Sequence, residues 1–287
     1  MVLGNGDVIL FYKYVTEERK NILENREIRI TQLDALNDPF EALILYNPEL
    51  VEKFNEEFKK SRSSLTLIEQ LVKYDKFRHI LENGSTTPAL LGKAFLERHK
   101  EMKYVRILSL SKTKESLLMW SHYTDNFKGF VIGFNPKHSF FSEQLFNGVD
   151  GPKEVKYKCD RSLTEREQDS DSLSRDSVIE FLCEKPRVWE YEEEVRIIKK
   201  FSDNDNIRTL SKKDKDDKEI NVYKFPSDLV QEIIIGHNMK PESQKKVVEY
   251  CSKLNNEIKI YETTISTTKY KIEFNKYSNS NLLGITL

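Results

Sequence analysis

The run Leu229-Val-Gln-Glu-Ile-Ile-Ile-Gly236 constrains the fold more than any other stretch of the chain. It is the most apolar strand-like segment, rich in β-branched residues, and such a run is stable only when both faces are covered. It therefore predicts a central strand, with other strands on both sides. Candidates are plentiful. Segments 8–14, 27–31, 104–111, 129–134, 154–157, 219–225, 258–261 and 270–274 all carry β-branched and aromatic residues bounded by turn signals. Asn37-Asp38-Pro39 has to turn, because Pro39 excludes Asp38 from the α region.

Helices are expected between these strands. One starts after Thr16, with Glu17 and Glu18 in its first turn, and ends near Asn25. A second spans 115–123 with Thr113 as its cap. A third begins at Pro241 and aligns Val247, Val248, Cys251 and Leu254. Between 48 and 103 the pattern is helical throughout: Leu50, Phe54 and Phe58 recur at helical spacing, as do Leu67, Leu71, Tyr74 and Phe77. Strands and helices mix without regular βαβ alternation, so an α+β fold is expected, with a mixed or antiparallel sheet and flanking helices. The chain reads as one domain over 1–287 with a helical insertion at about 48–103. The charged runs 160–177 and 202–217 read as solvated loops, the second as an exposed hairpin.

Composition narrows the function classes. Forty-six Lys and Arg against 47 Asp and Glu leave a net charge of −1, which argues against bulk attraction to nucleic acid. No apolar run approaches the roughly 20 residues of a membrane span. The opening residues lack a basic segment, and 8–14 is too short and aromatic for a secretory signal, so a cytoplasmic protein without a membrane partner is expected. Three scattered cysteines (Cys159, Cys183, Cys251) and five histidines without HxxxH spacing indicate no metal. The ten glycines form no GxGxxG, GxxxxGK[ST] or GxSxG pattern.

Three segments carry chemistry. In Trp189-Glu-Tyr-Glu-Glu-Glu-Val-Arg-Ile-Ile198, a strand entered near Tyr191 places Glu192, Glu194 and Arg196 on one face, with Tyr191, Glu193, Val195 and Ile197 on the other. Ions in an apolar strand are costly unless paired. They form either an ion bridge on a solvated strand face or a site that binds hydroxyls and stabilises a developing cation. In Met119-Trp-Ser-His-Tyr123, Leu118, Met119 and His122 share a helical face, and Trp120 and Tyr123 another. Trp120 and Met119 read as packing residues, while His122 and Tyr123 offer polar tips to a cleft. In Asn37-Asp-Pro-Phe-Glu41, Asp38 and Glu41 add two carboxylates to a tight loop.

Tyr12-Lys-Tyr14, Asn37-Asp-Pro-Phe-Glu41, Met119-Trp-Ser-His-Tyr123 with Gly129, and Trp189-x-Tyr-Glu-x-Glu-x-Arg196 occur in that order. Together they resemble a bacterial family of domains of unknown function and, more distantly, the ADP-ribosyltransferase superfamily. The resemblance implies a split-sheet α+β core that binds NAD and releases nicotinamide through an oxocarbenium-like state. It implies Glu194 and Glu192 as catalytic carboxylates with Tyr123. Tyr12, Lys13, Tyr14, Ser109, Ser111, His122 and Arg196 would bind NAD, with Lys13 or Arg196 meeting the pyrophosphate. Many members carry His or Arg where this chain has Tyr12-Lys-Tyr14. A toxin or phage-defence effector acting on a protein or nucleic-acid acceptor would fit. Two other readings stay open: a metal-dependent nuclease or phosphohydrolase using Asp38, Glu41, Glu192, Glu194 and His122, and a non-catalytic sensor or interaction module.

Overall fold

The computed structural model describes residues 9–38, 40, 45–46, 104–142, 151–160, 163–164, 179–180, 182–201, 207–214 and 216–278. The helical block expected at 48–103 lies outside these residues, as do Glu41 and most of 160–177. The strands are β1 (Phe11–Val15), β2 (Glu27–Gln32), β3 (Leu45–Tyr46), β4 (Val105–Ser111), β5 (Phe130–Phe134), β6 (Lys153–Glu154), β7 (Lys156–Lys158) and β8 (Leu163–Thr164). They continue as β9 (Glu184–Pro186), β10 (Glu194–Lys200), β11 (Ile207–Lys213), β12 (Glu219–Lys224), β13 (Val230–Ile235), β14 (Lys259–Ile265) and β15 (Ile272–Lys276). The α-helices are α1 (Asn21–Asn25), α2 (Leu117–Tyr123) and α3 (Pro241–Leu254).

Eleven strands form one mixed sheet, ordered β11-β12-β2-β4-β1-β5-β13-β14-β15, with β10 on β4 and β6 on β10. The apolar run at 229–236 lies inside it, as expected. β13 pairs antiparallel with β5 (Ile233↔Ile132) and parallel with β14 (Ile233↔Ile260). Ile233 and Ile235 enter the core on one face and Ile234 the core on the other. Each fully buried isoleucine stabilises the fold by about 2 kcal/mol. Helix α3 links β13 to its parallel neighbour, with Pro241 in its first turn and Val247 and Cys251 buried beneath it. Among the described residues, no helix is long and apolar enough to cross a membrane.

The sheet forks at β4. Strand β10 pairs along all of one edge, from Glu194↔Ser111 to Lys200↔Val105. The other edge is shared: β2 takes Ile107 and Arg106, and β1 takes Ser111. Between those two ladders the Ser109 carbonyl accepts a hydrogen bond from Lys13 Nζ at 2.8 Å. A side chain thus supplies the donor where the main chain has diverged.

Helix α2 is joined to β5 through Asp125, Asn126 and Phe127, all left-handed (φ 51°, 55° and 63°). Such a run costs about 1–2 kcal/mol per residue. It is offset by Phe127 stacked on Trp120 (5.3 Å, 1°) and by the Gly129 N–H donating to Thr124 O at 2.8 Å. Gly129 is required here, because a Cβ would lie 2.0 Å from the Val15 carbonyl oxygen.

Three local expectations need correction. Helix α2 begins at Leu117, and its cap is Ser116, whose hydroxyl accepts from Met119 N at 3.3 Å. Thr113 instead closes a turn by accepting from Glu115 N. Its faces also differ: Met119 and Trp120 are buried together, while Leu118 and His122 are exposed. The segment at 154–157 is not one strand. The Val155 N–H donates to Glu194 O and the Lys156 N–H to Cys183 O, so the chain leaves β10 for β9 at that residue. In 202–217, residues from Ile207 onward form β11, the exposed outer strand of a hairpin with β12.

Candidate functional site

Strand β10 starts later than its alternation suggests. Arg187–Glu192 winds as a 3-10 turn, and Glu193 takes a left-handed conformation (φ 41°). Glu194 and Arg196 then share a face of β10 as expected, whereas Glu192 arrives from the turn and Glu193 is exposed. The turn is pinned from β4: Ser111 Oγ donates to Glu192 O at 2.6 Å, and Lys112 N to Glu193 O at 3.0 Å.

Glu192 nevertheless rejoins Glu194, through Lys185 of β9. Lys185 Nζ lies 2.6 Å from Glu192 Oε2 and 3.3 Å from Glu194 Oε2. Arg196 forks Glu194, with Nε on Oε1 at 2.8 Å and Nη2 on Oε2 at 2.9 Å, and its Nη1 donates to Leu182 O at 2.7 Å. Tyr123 OH donates to Glu192 Oε1 at 2.5 Å and accepts from Asn37 Nδ2 at 2.6 Å. Every carboxylate oxygen of the pair has a donor. The two acids and two bases cancel in charge, and all four are at most 4% exposed.

That arrangement fixes protonation. Burial pushes the Glu194 carboxyl up, but Arg196 and then Lys185 outweigh it, with the Ser109 hydroxyl adding, and hold it down at about 2. Tyr123 is driven the other way, by burial and by Glu192, so it remains a protonated donor. Tyr157 accepts from Glu194 N at 2.7 Å, and burial likewise raises its phenol.

Above the quartet lies a more accessible rim. Asn37 and His122 are exposed, and Tyr123, Trp189 and Tyr191 are half-buried. The Tyr191 ring lies 6.3 Å from His122 and 6.0 Å from Trp189, and Lys185 Nζ sits 4.8 Å from the Trp189 ring centre. Tyr12 and Tyr14 are buried in the core beside Trp120. Tyr14 packs edge-on against Trp120 at 5.6 Å and donates to Thr113 O, which also accepts from Ser111 Oγ. Lys13 lies at the fork of the sheet, and burial, Arg19 and Arg29 together depress its ammonium to about 8.

The structure thus gathers Tyr123, Glu192, Glu194 and Arg196 directly, with Ser109 and Ser111 behind them. His122 reaches only the rim. Sequence reasoning missed Lys185, which bridges both glutamates; its three-residue strand in Glu184-Lys-Pro186 has no periodic signature. Asn37 was visible only as turn chemistry. Asp38 is buried, and its Oδ1 accepts from Phe40 N at 3.0 Å. Among the described residues, no three His, Cys, Asp or Glu side chains gather as a metal ion would need.

No curated protein sequence and no solved structure matches the chain. The segment from Met119 to Ile197 spans two of the four motifs and four of the five residues of the Tyr123–Lys185–Glu192–Glu194–Arg196 network, and those four with Lys185 are all inside it. Residues 119–197 match the family described as "Protein of unknown function (DUF2971)".

Proposed function

We propose that the chain is an NAD-consuming enzyme of the ADP-ribosyltransferase type, acting at the Glu192–Glu194 network. One observation carries the reading. The Tyr123 hydroxyl occupies a hydrogen-bonding position on Glu192 Oε1 that a ribose hydroxyl could take in its place. Glu192 would then hold the sugar, with Lys185 fixing the carboxylate from its other oxygen. Glu194 stays ionised and, clamped by Arg196, needs no reorganisation as positive charge develops on the ribose. The half-buried Trp189 and Tyr191 and the exposed His122 offer ring faces to the departing nicotinamide. The carbon–nitrogen bond to nicotinamide breaks with its electron pair leaving on nicotinamide, and an acceptor nucleophile or water forms the new bond.

The test is calorimetric titration with NAD alongside chromatographic detection of free nicotinamide. Wild type should bind NAD saturably and release nicotinamide, and Glu192→Gln should bind while losing at least 100-fold in release. Wild-type protein that neither saturates with NAD nor releases nicotinamide would refute the reading. A second reading, a non-catalytic interaction module, is favoured by the donor saturation of all four carboxylate oxygens. It expects Glu192→Gln to lower the melting temperature with no NAD-dependent signal in wild type.

A further inference from the structure

The fork in the sheet collects positive charge that the glutamate network does not use. Continuing the Thr31↔Ile107 register of β2 brings Arg29 level with Ser109 of β4, and continuing Tyr12↔Ser111 brings Tyr14 of β1 to the same residue. The two strands therefore part around Ser109, and Lys13 Nζ fills that point by binding its carbonyl. Arg29 gives its Nη2 to Asp214 at 2.6 Å, while its buried Nε has no hydrogen-bond acceptor. Arg19, exposed on the turn that follows β1, has no hydrogen bond or ion pair for its guanidinium among the described residues. Lys13, Arg19 and Arg29 lie close enough to oppose one another's charge.

Their acidic neighbours do not neutralise them. Asp214 is shared among Arg29 and the backbone amides of Asp216 and Lys218. Glu18 is exposed beside Arg19. Glu192 and Glu194 are taken by Lys185 and Arg196, so they contribute little to the fork. Three cations, one unmet buried donor and one unpaired guanidinium have a common remedy, an anion with several oxygens.

We infer that the fork between β1 and β2 is a binding site for a phosphate-bearing anion, held by Lys13, Arg19 and Arg29. A phosphate or pyrophosphate group offers enough acceptors to meet the ammonium and both guanidinium groups at once. Arg196 is not available for this task, since its donors are directed to Glu194 and Leu182 O. The site does not depend on the NAD reading, because any ligand with such a group satisfies the same donors.

The experiment is calorimetric titration of the full chain with inorganic pyrophosphate and, separately, with ADP, at low ionic strength. Wild type should saturate with at least one of them, and the two arms separate an inorganic anion from a nucleotide. Arg19→Gln, at an exposed position, should fold with an unchanged melting temperature and weaken binding at least tenfold. Lys13→Met should weaken it similarly, while Lys253→Gln, on the surface of α3, should not alter it. Failure of wild type to saturate with either probe overturns the inference, and so does an Arg19→Gln variant that binds as tightly as wild type. Pyrophosphate binding sensitive to Arg19, without NAD binding, supports the fork while refuting the proposed activity. NAD binding indifferent to Arg19→Gln, with no pyrophosphate binding, does the reverse.

Discussion

Replacing Arg196 with methionine removes the most heavily committed cation in the molecule. The guanidinium makes two hydrogen bonds to Glu194 and one to the Leu182 carbonyl, at 2.7–2.9 Å. Without it, Glu194 keeps only Lys185 at 3.3 Å, which it already shares with Glu192. One buried positive charge then faces two buried negative ones. Breaking a buried pair in this way costs about 3–5 kcal/mol, because the remaining ion has lost its compensation. Removing both charges is gentler. In the double variant Glu194→Gln/Arg196→Met, the Lys185–Glu192 pair stays balanced, and the expected loss is about 1–2 kcal/mol. Urea denaturation of wild type, both single variants and the double variant closes a thermodynamic cycle. The double variant should be more stable than Arg196→Met by about 2 kcal/mol. If it is equally or less stable, the four charges are not mutually compensating, and the account of the network is wrong.

Acid stability should show the same network from another side. The folded Glu194 carboxyl sits at about 2, below its ordinary 4.5, so its contribution is complete above pH 4.5 and is lost as pH falls toward 2. That loss is about 3 kcal/mol and should be absent from the urea-denaturation pH profile of Glu194→Gln. Lys13 has the opposite profile: held at about 8 instead of 10.5, it binds a proton in the unfolded chain that the folded chain releases. Stability should therefore rise by about 1–3 kcal/mol between pH 8 and 10.5, and Lys13→Met should remove that rise. Gly129→Ala places a Cβ 2.0 Å from a backbone oxygen and should cost about 3 kcal/mol or more in thermal denaturation. Gly133→Ala meets the flexible Glu232 side chain at 2.6 Å and should cost less in the same measurement.

The sheet was legible where periodicity and burial agree. The triple isoleucine of β13 announces a strand covered on both faces, and Pro241 with Val247 and Cys251 announces α3. Less legible were positions where a hydrogen bond between distant segments decides the geometry. Nothing local distinguishes Ser116 from Thr113 as the cap of α2, or shows that Val155 N–H will donate to Glu194 O. The glutamates and Arg196 were visible as expensive charges within an apolar strand. Their partner Lys185 was not, because its role comes from the parallel pairing of β9 with β7, which brings its ammonium between two carboxylates. The left-handed Glu193 also hid Glu192, which reaches the site from a turn and not by strand alternation.

The shared edge of β4 has a consequence for what can exist as an autonomous unit. Within residues 119–197, β10 lacks its main partner, since β4 ends at Ser111, and β5 lacks both β1 and β13. A fragment cut to that segment would present two ribbons of unsatisfied main-chain groups, with Tyr123 cut off from Asn37. Its contacts span large sequence separations, 86 residues for Asn37 to Tyr123 and 96 for Lys13 to Ser109. Loop closure must therefore precede assembly of the charge network, which makes the network a late event on the folding pathway. A truncated chain should be caught as an aggregating, unassembled polypeptide before it is caught as an inactive one.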